Sequence, residues 1–358
     1  MCVTPCTTIC EGCAVSLADT VTTAAQNLWA LTFGEGIAAP EPTPSTVLSD
    51  APHRELRRYD GAGPDDPAVL LVPPLAAPAF CFDLSREQSL ARFLLESGRA
   101  PYLVDYGDIT FDDRRMGFET WIDDILPEAI RQVSADRGGR PVDLVGWSIG
   151  GTLALLTAAA DQTLPIRSVT AVGAPLSYDH MFGARELRTL ARIDGGRTAT
   201  AAIRAVGGVS AQLTRIAYRA TAWDRELKRP YFIASNLTDT ATLARMETID
   251  RFQNAMPGYP GRFYNQLWGR FILNNDIGKG VVRLADREIV LADLTQPVLL
   301  VGGPTDAITA AAAVEHGTKT LTGAAEVRYE TAPGSHLGIL IARDTTWTYL
   351  DKFLRDLA

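Results

Sequence analysis

Histidine is scarce in this chain, cysteine is nearly absent beyond its first residues, basic charge is outweighed, and no long apolar run exists. Each shortage excludes something. Four histidines in 358 residues leave a short choice of general bases. No histidine and carboxylate pair shows ligand spacing, so neither a metal nor a cofactor is expected. Lys and Arg number 34 against 42 Asp and Glu, a formal charge of −8. That balance argues against a nucleic-acid partner, which needs clustered cations. No stretch of about 20 uninterrupted apolar residues is present, so a membrane-spanning helix is not expected. The first residues lack the basic and apolar regions of a secretory signal. The expected location is therefore the cytoplasm, with association with a lipid granule or membrane surface left open.

Of the five cysteines, Cys2, Cys6, Cys10 and Cys13 crowd the start. Cys6, Cys10 and Cys13 match a C-x3-C-x2-C spacing used by some iron–sulfur enzymes, but they precede the region that reads as the fold. They are taken as a cysteine-rich tail, with reactive thiols or a lipidation site as alternatives.

What is present is an alternation. Residues 1–55 read as an N-terminal extension and linker, with a helix predicted over Ser16–Phe33 and prolines at Pro40, Pro42 and Pro44. From about Leu56, short apolar runs alternate with amphipathic helices, the sequence form of an α/β chain with a mostly parallel sheet and helices on both faces. Strands are predicted at Ala68–Val72, Tyr102–Val104, Val142–Val145, Val169–Val172, Val298–Val301 and Glu326–Tyr329. Between residues 177 and 291 the alternation gives way to helices and loops rich in aromatics. The expected organisation is a core over 56–176 and 292–358, interrupted by a helical cap over 177–291.

Gly146-Trp147-Ser148-Ile149-Gly150 matches G-x-S-x-G, a sharp strand-to-helix turn that thrusts the serine out of the sheet and leaves no room for side chains two residues away on either side. An apolar strand precedes it and an apolar helix follows, the context that gives a common pentapeptide meaning. Ser148 is the expected nucleophile. The helix start offers unpaired N–H groups to a developing oxyanion, so Ile149 is the first expected donor. A second should come from the run after Val72. Pro73 and Pro74 have no N–H, which makes Leu75 the first choice and Ala76 the second.

A serine hydroxyl needs a base. His53 lies in the preamble, His180 opens the cap and His316 sits in a helix. His336 follows the last strand in Pro333-Gly334-Ser335-His336-Leu337-Gly338, where a loop reaches the carboxyl edge of the sheet. Asp306, after the strand Val298–Val301, is the expected orienting acid, although aspartate also favours helix N-caps. Asp179 is the alternative acid. The order Ser148, Asp306, His336 is that of the α/β-hydrolase fold.

These residues resemble the polyhydroxyalkanoate synthase branch of the α/β-hydrolases. The likeness runs from Val72-Pro73-Pro74-Leu75 through Phe82-Asp83-Leu84 and Ser89–Leu94. It includes Leu144–Leu153 and returns at Met256-Pro257-Gly258, Asn274-Asn275 and Asp293-Leu294. The resemblance implies acyl chemistry at the elbow. Those synthases carry cysteine there, whereas this chain has Ser148, and a serine ester facing water is usually hydrolysed.

The leading expectation is accordingly a serine hydrolase of esterase or lipase type, acting on a small-molecule acyl ester or thioester whose acyl part enters an apolar pocket. Acyl transfer from acyl-CoA to an alcohol is the runner-up. A non-catalytic scaffold that binds a lipid granule is the alternative from another class.

Overall fold

The computed structural model describes residues 17–34, 36–37, 39–181, 183–221, 223–284 and 287–357. Cys2, Cys6, Cys10 and Cys13 lie outside the described residues. The chain divides into two compact units: residues 1–40 with 222–251, and residues 41–221 with 252–358.

The larger unit is built on an eight-stranded sheet. Its first six strands are β1 (Ser45–Ser49), β2 (Glu55–Tyr59), β3 (Ala68–Val72), β4 (Ala100–Asp105), β5 (Val142–Trp147) and β6 (Ile166–Val172). Strands Val298–Gly302 and Val327–Thr331 complete it, in the spatial order β1-β2-β4-β3-β5-β6 followed by these two. From β4 onward neighbouring strands are parallel, while β1 and β2 attach antiparallel at one edge. All residues of β3 and β5 are buried, as expected of strands covered on both faces. The helix Ile149–Ala160 is buried along all but its last residue, so its near-continuous apolar sequence reflects burial on every side rather than one stripe.

Two features depart from the sequence boundaries. The sheet starts at Ser45, inside the segment read as extension and linker (1–55). β2 carries charges at three of its five positions, Glu55, Arg57 and Arg58, and Arg58 is joined to Asp136 at 3.2 Å, so its charges hide a sheet position. The helix over Leu17–Thr32, read as a preamble, groups with residues 222–251 of the expected cap. The amide nitrogen of Asn27 donates to the Leu237 carbonyl at 2.8 Å and to Thr240 Oγ1 at 3.0 Å.

Within the expected cap, residues 197–220 form two helices, Arg197–Val206 and Ala211–Ala220. Gly207 and Gly208 separate them with positive φ values of 79° and 139°, and a Cβ at Gly208 would come within 2.1 Å of the Tyr259 carbonyl oxygen. Some aromatics of the expected cap pack into core with rings from outside it. Phe118 stacks on Phe263 and Phe271 with ring centroids 3.9 and 4.7 Å apart, and Trp121 meets Phe263 edge-on.

Candidate active site

The parallel strands β3, β5, β6, Val298–Gly302 and Val327–Thr331 release their loops at one edge of the sheet, where ligands of open α/β sheets bind. Ser148 stands there between β5 and the helix Ile149–Ala160, with φ 54° and ψ −130°. This is a sparsely populated conformation for a residue with a side chain. Its N–H donates to the Val172 carbonyl at 2.8 Å, and its carbonyl accepts from Gly151 at 3.0 Å. The flanking glycines are sterically required. A Cβ on Gly146 would lie 2.5 Å from the Gly151 Cα, and one on Gly150 would lie 2.3 Å from the Val72 carbonyl oxygen. The first turn after Ser148 therefore rests directly on the end of β3.

That contact sets Leu75 and Ile149 in neighbouring segments. Ile149 begins its helix, so its N–H is one of the first four donors that have no partner within the helix. Leu75 is 2 % exposed and borders a cavity of about 230 Å³ whose wall also includes Phe80, Asp105, Tyr106 and Asp108. The Tyr106 hydroxyl is buried without a hydrogen-bond partner among the described residues, and burial pushes its phenol well above the ordinary range.

Asp306 and His336, thirty residues apart, meet through a 2.7 Å contact between Oδ2 and Nδ1, with both side chains almost wholly buried. The other carboxylate oxygen of Asp306 accepts from the N–H groups of Ile308 and Thr309 at 2.8 and 3.0 Å. One aspartate thus caps a turn and holds an imidazole at once. In the neutral ring Nδ1–H donates to Asp306, leaving Nε2 as the acceptor. His336 opens the short helix His336–Leu340, whose N-cap Ser335 accepts from Gly338. A Cβ on Gly173 would lie 3.2 Å from the His336 Cε1. Gly173 follows Val172, the residue to which Ser148 is bonded, so the imidazole stands beside the elbow.

The other histidines are engaged elsewhere. His53 joins the Tyr106 carbonyl and Asp113 at 2.8 and 2.9 Å, and His316 Nε2 contacts the Gly278 carbonyl at 2.8 Å. His180 stacks near His316 with ring centroids 5.8 Å apart. Asp179, the alternative acid, pairs with Arg188. Burial lifts its carboxyl, but the Arg188 hydrogen bond and charge outweigh that and leave it below its ordinary value. Cys81 is fully buried, and burial pushes its thiol well up, which disfavours the thiolate a nucleophile needs.

Two positioning groups escaped the sequence reading. Trp147 Nε1 donates to the His336 carbonyl at 3.1 Å. Thr305 Oγ1 donates to the Gly334 carbonyl at 2.8 Å and sits 3.3 Å from the Gly334 nitrogen, tying the acid loop to the base loop. No local signal marks either, because each partner is remote in sequence.

Similarity to known proteins agrees with this architecture. Among curated relatives, the poly(3-hydroxyalkanoate) polymerase subunit PhaC of Allochromatium vinosum is 22% identical over 302 residues, covering 80% of each chain. The protein of the same name from Haloarcula marismortui is 28% identical over 153 residues, 40% of this chain and 32% of that relative. This chain thus spans about a third of the haloarchaeal protein. A solved structure, the monoacylglycerol lipase of Paleococcus ferrophilus, superposes with a TM-score of 0.51 at 16% identity, covering 85% of this chain and all of the lipase. At that identity the likeness is one of fold. The family model described as alpha/beta hydrolase fold matches residues 67–340. With that span covering most of the chain, the protein belongs to the α/β-hydrolase fold family, and its curated relatives are polymerases of the PhaC type.

Proposed function

We propose that this protein is a serine hydrolase that cleaves an acyl ester or thioester through an acyl-enzyme on Ser148. The observation that carries the reading is the buried Asp306–His336 pair beside a serine held in a strained positive-φ conformation at a strand-to-helix turn. His336 Nε2 takes the Ser148 proton as Oγ attacks the acyl carbon. Asp306 holds the ring in the tautomer that can do so and stabilises the imidazolium that forms. The N–H groups of Ile149 and Leu75 receive the oxyanion. His336 returns the proton to the leaving alcohol or thiol, and a water it then deprotonates releases the acid. The cavity beside Leu75 takes the acyl part. Its volume of about 230 Å³ and its mixed wall suit a short acyl chain with a polar substituent better than the wholly apolar chain expected from the cap aromatics.

A second reading has one specific support. The relatives' name, poly(3-hydroxyalkanoate) polymerase, denotes acyl groups that carry a hydroxyl. In that reading an alcohol replaces water as acceptor. Tyr106 lines the cavity, and its buried hydroxyl has no partner among the described residues, so a small shift of the ring would let it meet the substrate's hydroxyl.

A fluorophosphonate probe tests the nucleophile. It should label the wild type and fail on Ser148→Ala. Labelling that persists in Ser148→Ala sinks the assignment, and no labelling of either favours a scaffold. Product analysis of short acyl-CoA and p-nitrophenyl esters, with and without added alcohol, separates hydrolysis from transfer.

A further inference from the structure

We propose that an arginine-lined groove on the larger unit, distinct from the Ser148 site, binds a soluble ligand carrying at least two phosphate groups. The groove consists of two adjoining hollows of about 590 and 550 Å³ that share Thr200 and Arg204. Arg114, Arg115, Arg197, Arg204, Arg262 and Arg270 line it, and no carboxylate does. This happens in a chain where acidic residues outnumber basic ones, 42 to 34.

Many arginines elsewhere find acids, as Arg54 does with Glu128, Arg229 with Asp250, and Arg328 with both Glu326 and Asp356, while others such as Arg86 and Arg185 stand singly rather than around a shared hollow. In the groove, Arg262 reaches Glu119 at 3.0 Å, and Arg114 donates to the Phe111 carbonyl with Asp112 at 3.7 Å. The side chains of Arg115, Arg197, Arg204 and Arg270 have no hydrogen bond or ion pair among the described residues. Four unpaired guanidiniums around one depression repel one another, and a bound polyanion removes that repulsion.

The guanidinium fork matches phosphate oxygens in bidentate fashion. Cations spread over two hollows call for more than one phosphate, because a single carboxylate or orthophosphate reaches only part of the set. Gly269 on the wall, where an added Cβ would meet nothing within 4 Å, permits close approach. The helix end nearby is not the anion site. Asp194 already accepts from Gly196 and Thr198 at 2.8 and 2.7 Å at the start of Arg197–Val206. None of the groove residues belongs to the Ser148, Asp306, His336 set or to the Leu75 loop, so the proposal stands apart from the catalytic reading.

Titration calorimetry of the full chain with inorganic tripolyphosphate, in about 0.15 M salt where exposed charges are screened, tests it. Saturable one-to-one binding is expected. Arg204→Ala and Arg270→Ala should each weaken it about tenfold or more, the scale of a lost charge-assisted hydrogen bond. Arg204→Lys, which keeps the charge and loses the fork, should fall between wild type and Arg204→Ala. Arg355→Ala, remote from the groove and paired with Asp351, should bind like wild type. No saturable binding, or an equal loss in Arg355→Ala, overturns the proposal. So does cosedimentation with phosphatidylserine vesicles that tripolyphosphate does not compete away, because the patch would then be a membrane-facing surface.

Discussion

The indole nitrogen of Trp147 donates to the main-chain carbonyl of His336 across 3.1 Å, so the residue before Ser148 holds the backbone of His336. The two rings also lie near each other, with centroids 5.1 Å apart. Trp147→Phe keeps an aromatic ring, though a smaller one, and removes the donor. A buried hydrogen bond lost with one partner left behind costs about 1–3 kcal/mol. The expected outcome is a fall in kcat of about tenfold, with a smaller effect on KM, read by steady-state kinetics beside a thermal melt.

Ser148 stores backbone strain at φ 54°, and glycine relieves it. Ser148→Gly should abolish turnover yet stabilise the fold, by about 1 kcal/mol on the usual scale for such conformations. Urea denaturation of Ser148→Gly and Ser148→Ala side by side checks this. A glycine variant less stable than the alanine one would contradict strain at the elbow.

At Gly150 the constraint is steric. An added Cβ meets the Val72 carbonyl oxygen at 2.3 Å, and main chain cannot rotate away as a side chain can. Gly150→Ala should cost about 3 kcal/mol or more through overpacking, measured as a lower urea midpoint. If it folds, displacement of the Pro73–Leu75 loop should also lower kcat.

Asp306 and Asp179 make a paired comparison. Asp306→Asn leaves the shape but offers His336 the wrong tautomer, and a loss of roughly 10³–10⁴ in kcat is expected by analogy with other triads. Asp179→Asn gives up only a partly exposed pair with Arg188 and should change kcat less than twofold. Kinetics showing the reverse order would reassign the acid.

The sheet was legible wherever strands are buried on both faces. The apolar runs at β3, β5 and Val298–Gly302 stand out in the sequence and coincide with fully buried strands. The β1–β2 hairpin was not legible, because an edge pair with Arg57 and Arg58 facing partial solvent carries no continuous apolar signal. The turn between its strands holds His53 at φ 60°, a conformation that histidine does not advertise. The aromatic richness of residues 177–291 does not say which rings line a pocket and which form core. Stacking on Phe118 makes several of them core, a choice that composition leaves open.

At the site, the local pattern Gly146-Trp147-Ser148-Ile149-Gly150 was sufficient by itself to specify the sharp turn, because a strained serine between two sterically confined glycines is a property of neighbouring residues. That Asp306 precedes His336, and both follow Ser148, is likewise plain along the chain. Tertiary structure alone decided that Asp306 reaches His336, that Asp179 turns to Arg188 instead, and that Trp147 and Thr305 brace the base loop. Those contacts join residues 9 to 189 positions apart. Their geometry depends on how parallel strands bring loop ends to one edge, and no short stretch of sequence encodes that.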